Sequence, residues 1–155
     1  MLRRRLRARA RSDRGAALVE FALVLPFLAL LLFGIIEFGW TFGQYLDVRH
    51  GARESARLTA VNYRSTAGAT GAAQSAEIVA ETCDRLTNPD ESTVEISFDG
   101  AGSATGDPVT VEVTQGVSSL TGFLDPFLPT SLTSEATSRL ERTATFTAVS
   151  AQACP

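Results

Sequence analysis

The side chains that most often serve as nucleophiles, bases or metal ligands are scarce in this sequence. Its 155 residues include one histidine, His50, and two cysteines, Cys83 and Cys154. A metal centre needs three or four clustered ligands, and no such cluster of His, Cys and carboxylates occurs. His50 has no Ser or Cys partner that the sequence identifies, and no G-x-S-x-G motif is present. We therefore expect no catalysis, no metal site and no cofactor.

The basic residues divide the chain into three parts. All 14 cationic side chains are arginine, so phosphate-binding loops and Schiff bases that need a lysine are excluded. Residues 1–15 carry seven Arg and one Asp, residues 16–40 carry two Glu, and residues 41–155 carry seven Arg and fourteen acids, which gives 6 − 2 − 7 = −3. The three parts are a basic leader, an apolar segment and an acidic domain.

The apolar segment is long enough to cross a membrane. Residues 21–36 are sixteen consecutive uncharged residues, and the run extends to residues 16–40 if Glu20 and Glu37 are tolerated near its ends. A span needs about 20 residues. The arginines of the leader place the N-terminus in the cytoplasm and the acidic domain outside, so we expect a single-pass protein of the cytoplasmic membrane. A cleaved secretory signal is disfavoured, because no small-x-small site follows the run.

The leader has a second interpretation, since a run of arginines could also bind nucleic acid. Its position beside a span is better explained by membrane topology and by attraction to anionic lipid. The predicted partner of the leader is therefore membrane lipid and not nucleic acid.

Glu20 is the unusual residue of the apolar segment. A carboxylate at the centre of a spanning helix costs about 2 to 3 kcal/mol, and less near the end. One interpretation is a border residue that reaches toward the headgroups. The other comes from its context, because residues 15–21 read GAALVEF directly after the basic leader. This motif resembles the processing site of type IV prepilins, where cleavage follows Gly and the fifth mature residue is Glu.

The longer stretch Arg14–Trp40, which has Pro26, Gly34 and Glu37 in register, resembles the N-terminal signature of TadE-like proteins. These are minor pilins, or pseudopilins, of the tight-adherence pilus system. The segment VRHGARESARLTA, Val48–Ala60, resembles the helix that follows in that family.

The resemblance implies a set of roles for the N-terminal residues. Gly15 would precede the cut and Ala16 would become the new N-terminus, although an uncut leader remains an alternative. Glu20, followed by Phe21, would act in assembly by pairing with the new α-amine of a neighbouring subunit. The implied partners are other pilin-like subunits, the pilus assembly machinery and a prepilin peptidase.

The helical pattern continues beyond the membrane. We predict one helix over residues 16–61, with a kink at Pro26 and a stalk outside the bilayer. Gly39 and Gly43 form a small-x-x-x-small pair, which indicates either close helix approach or flexibility. A second helix is predicted over Gly71–Leu86, with an apolar stripe formed by Ala76, Val79, Ala80, Cys83 and Leu86.

Each of the two helices carries a stripe of like charge. The basic stripe on the first helix is Arg49, Arg53 and Arg57. The acidic stripe on the second helix is Glu77, Glu81 and Asp84. The two stripes are either solvated faces or charge partners, within one subunit or between neighbouring subunits.

The last part of the chain has the period of β-structure. Thr93–Phe98 and Val109–Gln115 alternate apolar with polar residues, which predicts an antiparallel hairpin. The stretch between Val117 and Leu132 is apolar and broken by prolines. It either caps the core or forms an exposed patch for a partner subunit or the membrane. Its apolar residues are Leu120, Phe123, Leu124, Phe127 and Leu128. A final strand is predicted over Ser134–Val149, with inward positions Leu140, Ala144, Phe146 and Ala148.

Cys83 and Cys154 both lie on the predicted external side, where oxidation is allowed. We expect one disulfide that closes a loop of about 70 residues, worth about 3 to 4 kcal/mol in the chain-entropy model. Two free thiols or a bridge between subunits are the alternatives.

The predicted fold class is thus α+β and pilin-like, with a long transmembrane helix, a stalk, a second helix and a small antiparallel sheet. The function that the resemblance implies is assembly of a tight-adherence (Flp type IV) pilus, without catalysis. An envelope protein that is held by an uncleaved signal anchor, binds a partner and never enters a pilus is the alternative. A secreted enzyme or inhibitor is a third interpretation, disfavoured because no site supports it.

Overall fold

The computed structural model describes residues 2–98, 100, 102–122 and 124–155, with the backbone alone for residues 2–14. The arginine side chains of the leader, and Phe123, therefore lie outside the described part. The elements follow one another as two helices and four strands, α1 Leu2–Ala60, α2 Gly71–Cys83, β1 Ser92–Phe98, β2 Pro108–Gly116, β3 Ser131–Arg139 and β4 Val149–Ala153. The α+β class with a long apolar N-terminal helix is confirmed.

Helix α1 is one continuous helix of 59 residues, roughly 90 Å long at 1.5 Å per residue. It begins at Leu2, upstream of the predicted start at Ala16, and it continues through Pro26. Both predicted boundaries, after residues 15 and 40, fall inside it. Alanine, leucine and arginine are among the best helix formers, and this composition accounts for the extension into the leader.

The C-terminal third of α1 packs against α2 and the strands, and we call this folded part of the protein the head. Val48, Ala52 and Ala56 are buried and recur at a spacing of four residues, so they form one stripe facing the core. Gly51 lets the segment that follows α2 come close, because a Cβ atom at this position would lie 2.6 Å from Leu86 Cδ2. Small side chains on this part of α1 therefore set the distance between the helix and its neighbours.

Helix α2 buries a face that includes polar residues. Val79, Cys83 and Leu86 are buried as predicted, but Ala76 is exposed, because the buried face is rotated toward Ile78 and a set of polar neighbours, Gln74, Ser75 and Thr82. Burial of these polar groups is tolerated because each is hydrogen-bonded: Thr82 Oγ1, for example, lies 2.8 Å from Ser55 Oγ on α1.

The four strands form one antiparallel sheet in the order β3-β2-β1-β4. The predicted hairpin is present, with Ile96 opposite Val111 and Val94 opposite Val113. These side chains and Val109 are fully buried against the helices, whereas the other face of the sheet carries mainly Thr and Glu. The head is therefore a two-layer structure, with both helices on one side of the sheet and solvent on the other.

The predicted final strand, residues 134–149, is two strands in the structure. The chain leaves β3 after Arg139 and crosses to the opposite edge of the sheet, where β4 pairs with β1 through Thr93 and Ala153. Leu140 and Phe146, in the crossing segment, are buried as predicted, but Ala148 is exposed. One strand with a bulge could not reach both edges, and this geometry explains the difference.

A disulfide joins Cys83 at the end of α2 to Cys154 next to β4, as predicted, with the two Cα atoms 5.6 Å apart. The two residues are 71 positions apart in the sequence. The bridge therefore closes most of the head into one covalent loop and holds the short edge strand β4 to α2.

The C-terminus of α1 is held by Asn62. This residue has a left-handed backbone with φ of 55°, and the amide of Tyr63 donates back to Leu58 O. Asn62 Oδ1 accepts hydrogen bonds from Gln74 Nε2 at 2.9 Å and from the amide of Thr145 at 3.1 Å. One side chain thus ties the end of α1 to α2 and to the crossing segment.

Candidate functional site

Residues 18–46 of α1 carry a long exposed apolar surface. Its large apolar side chains are exposed from Leu18 to Leu46, and Phe27 is 78% exposed. Within Gly15–Ala60 an 18-residue window reaches a mean hydropathy of 2.6 with none of it buried. This helix is long and apolar enough to cross a membrane, and it is compatible with a single-pass anchor.

The four residues that the sequence assigns to processing and assembly lie on this surface. Gly15, Ala16, Glu20 and Phe21 are all exposed. Glu20 takes part in none of the hydrogen bonds or ion pairs between described residues. Its carboxylate is therefore free to meet a group from outside the chain, while its pairing with an α-amine stays a prediction.

Glu37, the second carboxylate of the apolar segment, has a different environment. It is fully buried, with 0% of its surface exposed, although its neighbours on α1 are exposed. Its Oε1 atom accepts a hydrogen bond from the Leu120 amide at 2.9 Å. Its Oε2 atom accepts hydrogen bonds from the amide and the hydroxyl of Thr121 at 3.1 and 2.7 Å.

Two further side chains of α1 hold the same part of the head. The side-chain amide of Gln44 makes two hydrogen bonds with the backbone of Ser118. Its Nε2 donates to the carbonyl at 2.8 Å, and its Oε1 accepts from the amide at 3.1 Å. The indole Nε1 of Trp40 donates to the same carbonyl at 2.9 Å. We refer to the contacts of Glu37, Trp40 and Gln44 with residues 118–121 as the Glu37 clamp.

The Glu37 clamp fixes the connection between β2 and β3, residues 117–130, which we call the apolar loop. From the sequence, Glu37 is a tolerated charge near the end of the apolar segment and a residue in register with the TadE-like signature, with no contact to the head predicted for it. The sequence does contain a clue to its role: a carboxylate one turn inside the apolar segment is costly unless hydrogen-bond donors satisfy it. The donors themselves are more than 80 residues away.

The ion pair that joins the two helical regions differs from a direct pairing of the basic stripe of α1 with the acidic stripe of α2. Glu54 on α1 binds Arg57 at 2.9 Å on the same helix and Arg85 at 2.7 Å beyond α2, and Arg85 also binds Glu81. The acid of the contact between helices thus comes from α1 and the base from the α2 side. Ion pairs between described residues do not include Arg49, Arg53, Glu77 or Asp84, so their pairing with a neighbouring subunit stays a prediction.

Two of the acids outside the apolar segment have a lowered pKa. A hydrogen bond from Arg57, helped by the charges of Arg57 and Arg85, lowers the pKa of Glu54. Hydrogen bonds from the Thr66 side chain and from the amides of Ser65 and Thr66 lower the pKa of Glu77, which holds the turn after α1 against α2. Both carboxylates therefore stabilise the folded head in their charged form.

Over the part of the chain that the structure describes, no group of three or more His, Cys, Asp and Glu side chains is arranged to hold a metal ion. The arrangement that the structure does present is an exposed apolar helix surface with one carboxylate on it, and a head held to that helix by a second carboxylate.

We predict that Glu37→Gln loosens the apolar loop. The amide group of glutamine would place an N–H₂ donor against the amides of Leu120 and Thr121, so at least one donor would lose its acceptor. Limited proteolysis of the detergent-solubilised protein with chymotrypsin should cut between Leu120 and Leu128 faster, by on the order of tenfold.

The matched control for this variant is Glu20→Gln, the same change at an exposed site of the same helix. It should leave the cleavage rate of the apolar loop at the wild-type value. Equal rates for Glu37→Gln and wild type would contradict the role of Glu37.

We also predict that Glu77 contributes to the acid sensitivity of the head. A carboxyl with a lower pKa in the folded state stabilises the fold fully above its unfolded pKa of about 4.3, and this contribution is lost as the pH falls through the lower folded pKa. The melting temperature of the head, followed by near-ultraviolet circular dichroism in detergent, should therefore drop below about pH 4.3. The drop should be smaller in Glu77→Gln than in wild type, and identical pH profiles would show that Glu77 has no such role.

Comparison with known proteins adds to this geometry. No curated protein and no solved structure matches the chain. The model of the family described as TadE-like protein matches residues 15–57. This range begins at Gly15, includes Glu20 and the Glu37 clamp residues of α1, and ends at Arg57. The match confirms the resemblance to the TadE-like family over these residues.

Proposed function

We propose that this protein is a minor pilin, or pseudopilin, that takes part in the assembly of a tight-adherence (Flp type IV) pilus and has no catalytic role. Residues 1–15 form a cytoplasmic leader, residues 16–40 span the cytoplasmic membrane, and residues 41–155 form the extracytoplasmic head. The partners are other pilin-like subunits, the assembly machinery and a prepilin peptidase, with membrane lipid around the span.

The observation that carries this proposal is the exposed carboxylate of Glu20 on an otherwise apolar helix surface, inside the segment that matches the TadE-like family. An unpaired charge in this position is unfavourable in lipid or in a fibre core. A cationic partner from a neighbouring helix would offset its desolvation, and their attraction would be weakly screened there. The helix surface is thus suited to packing among similar helices, where each supplies the partner of the next.

Cleavage after Gly15 would create that partner. It would give Ala16 a free α-amine one helical turn before Glu20, on the same exposed surface. An amine on one subunit and a carboxylate on the next would then lie at nearly the same depth in the membrane. Such a pair would fix how far neighbouring helices are shifted along their axes. Apolar packing alone leaves this shift undetermined.

The second candidate function is an envelope protein that keeps its leader as a signal anchor, binds a partner through its head and never enters a pilus. It shares the span and the disulfide-bonded head, and the two candidates differ only in what happens at residues 15–20. Processing at Gly15 and the effect of Glu20 on piliation therefore distinguish them.

We predict that the protein is cleaved between Gly15 and Ala16. The intact mass of the protein extracted from membranes should equal that of residues 16–155 when the prepilin peptidase is present, and that of the full chain when the peptidase is absent. Gly15→Val should keep the full-length mass in both backgrounds. A full-length wild-type mass in cells that contain the peptidase would contradict processing and favour the anchored alternative.

We predict that Glu20→Gln reduces piliation, because the amide cannot pair with an α-amine as a charge. Pili sheared from cells that express only the variant should decrease by at least about tenfold, as expected when one partner of a buried charge pair is removed. The matched control is Glu20→Asp, which keeps the charge and should retain more pili than Glu20→Gln. Immunoblots must show equal amounts of both variants in the membrane, and normal piliation with Glu20→Gln would argue against the pilin role.

A further inference from the structure

The apolar loop lies beside the membrane-spanning part of α1 and not over the core of the head. Glu37, which binds Leu120 and Thr121, is three residues before Trp40 and thus roughly 4.5 Å deeper along the helix axis. Thr121 also faces a groove on the span side that is lined by Pro26, Ala29, Leu30 and Phe33. The Glu37 clamp therefore holds the apolar loop below the level at which the helix leaves the span.

The apolar loop presents apolar side chains away from the protein. Leu120 is 55% exposed and Phe127 is 79% exposed, while Leu124 and Leu128 are half-buried. Leu120, whose amide binds Glu37, lies beside the exposed surface of α1, and Phe127 follows it in the same loop. Exposed apolar side chains grouped beside a larger apolar surface mark a contact with a membrane or another protein.

The backbone of the apolar loop is largely satisfied within the protein. Pro126 and Pro129 have no N–H group, and the one-turn helix Asp125–Phe127 closes its own hydrogen bonds. Oxygen atoms of the protein accept hydrogen bonds from most of the remaining described amides, those of Val117, Ser118, Leu120, Thr121, Gly122, Phe127 and Leu128. A segment that leaves bulk water needs this satisfaction, because unpaired amides are costly in lipid.

Aromatic side chains mark the same level on α1. Phe38, Trp40, Phe42 and Tyr45 are exposed within two turns of helix. Tryptophan and tyrosine are enriched where a membrane meets water, since their rings are apolar and their polar atoms need a partner. Trp40 binds Ser118 of the apolar loop, so the loop lies at the level of these aromatic side chains.

We propose that the apolar loop is a second membrane contact, in which Leu120 and Phe127 insert into the interfacial layer of the leaflet on the head side. This inference rests on the membrane anchor of the proposed function. Lipid is the occupant that fits best, because the loop is held beside the span, most of its described amides are hydrogen-bonded within the protein, and it lies at the level of the exposed aromatic side chains of α1. Asp125 is the one acid among the described residues of the loop, and a carboxylate is tolerated at headgroup depth.

The test measures the depth of single residues in the reconstituted full-length protein. Phe127→Cys, Leu30→Cys and Ala73→Cys are each labelled with a nitroxide without reductant, so that the Cys83–Cys154 bridge stays intact. The proteins are placed in vesicles of equimolar phosphatidylcholine and phosphatidylglycerol. Electron paramagnetic resonance then gives the accessibility of each label to oxygen, which concentrates in lipid, and to a water-soluble nickel chelate.

The label at Phe127 should have an oxygen-to-nickel accessibility ratio several-fold above that of Ala73, an exposed residue of α2, and below that of Leu30 in the span. A ratio equal to that of Ala73 would overturn the inference while a high ratio at Leu30 leaves the anchor standing. Protection of Phe127 from both reagents would also overturn it, since a second copy of the chain would then cover the loop. A low ratio at Leu30 would reject the membrane anchor itself, and with it the proposed function.

Leu120→Cys serves as the second variant if Phe127→Cys does not reconstitute, because Leu120 is also exposed and lies in the same loop. The same ratios and the same three outcomes apply to it. The inference is therefore tested by whichever of the two labels enters vesicles.

Discussion

The buried carboxylate of Glu37 determines how the head of this protein is mounted on its helix. A charge inside an apolar segment must find donors, and here the donors are the amides and hydroxyl of a loop more than 80 residues further along the chain. Because two of these donors are backbone amides, the interaction constrains the path of the loop itself and not only one side chain. The rest of the head follows from this point, since β2 ends and β3 begins at either end of the loop.

Helix α1 is a single element that meets two different environments. Over residues 18–46 the large apolar side chains point outward, and in the last third of the helix several core-facing positions are small, as at Gly51, Ala52 and Ala56. Large exposed side chains suit lipid or similar helices, whereas small buried ones let a sheet and a second helix approach closely. The Glu37 clamp lies near the boundary between the exposed apolar part of α1 and the part that packs in the core, and it holds the head to the helix there.

Much of this arrangement could be predicted from the sequence, because it depends on local patterns. The apolar run and its flanking arginines predict the exposed helix, the two-residue period of Thr93–Phe98 predicts a strand, and two cysteines on one side of a span leave few pairings. The remainder depends on distant contacts. The donors of Glu37, the bond from Arg85 to Glu54 and the pairing of β4 with β1 are each made by residues that are far apart in the chain. Charge and period identify such residues as candidates, but only the fold determines which partner each one meets.

The continuity of α1 has a mechanical consequence. The helix enters the core through Val48, Ala52 and Ala56 without a flexible hinge, and the Glu37 clamp attaches the head to it a second time, nearer the N-terminus. Two attachments along one rigid axis transmit torque as well as tension. If the helix turns about its own axis, or is drawn along it, the sheet turns or moves with it, and the bridge from Cys154 to Cys83 keeps the last strand from peeling away under that load.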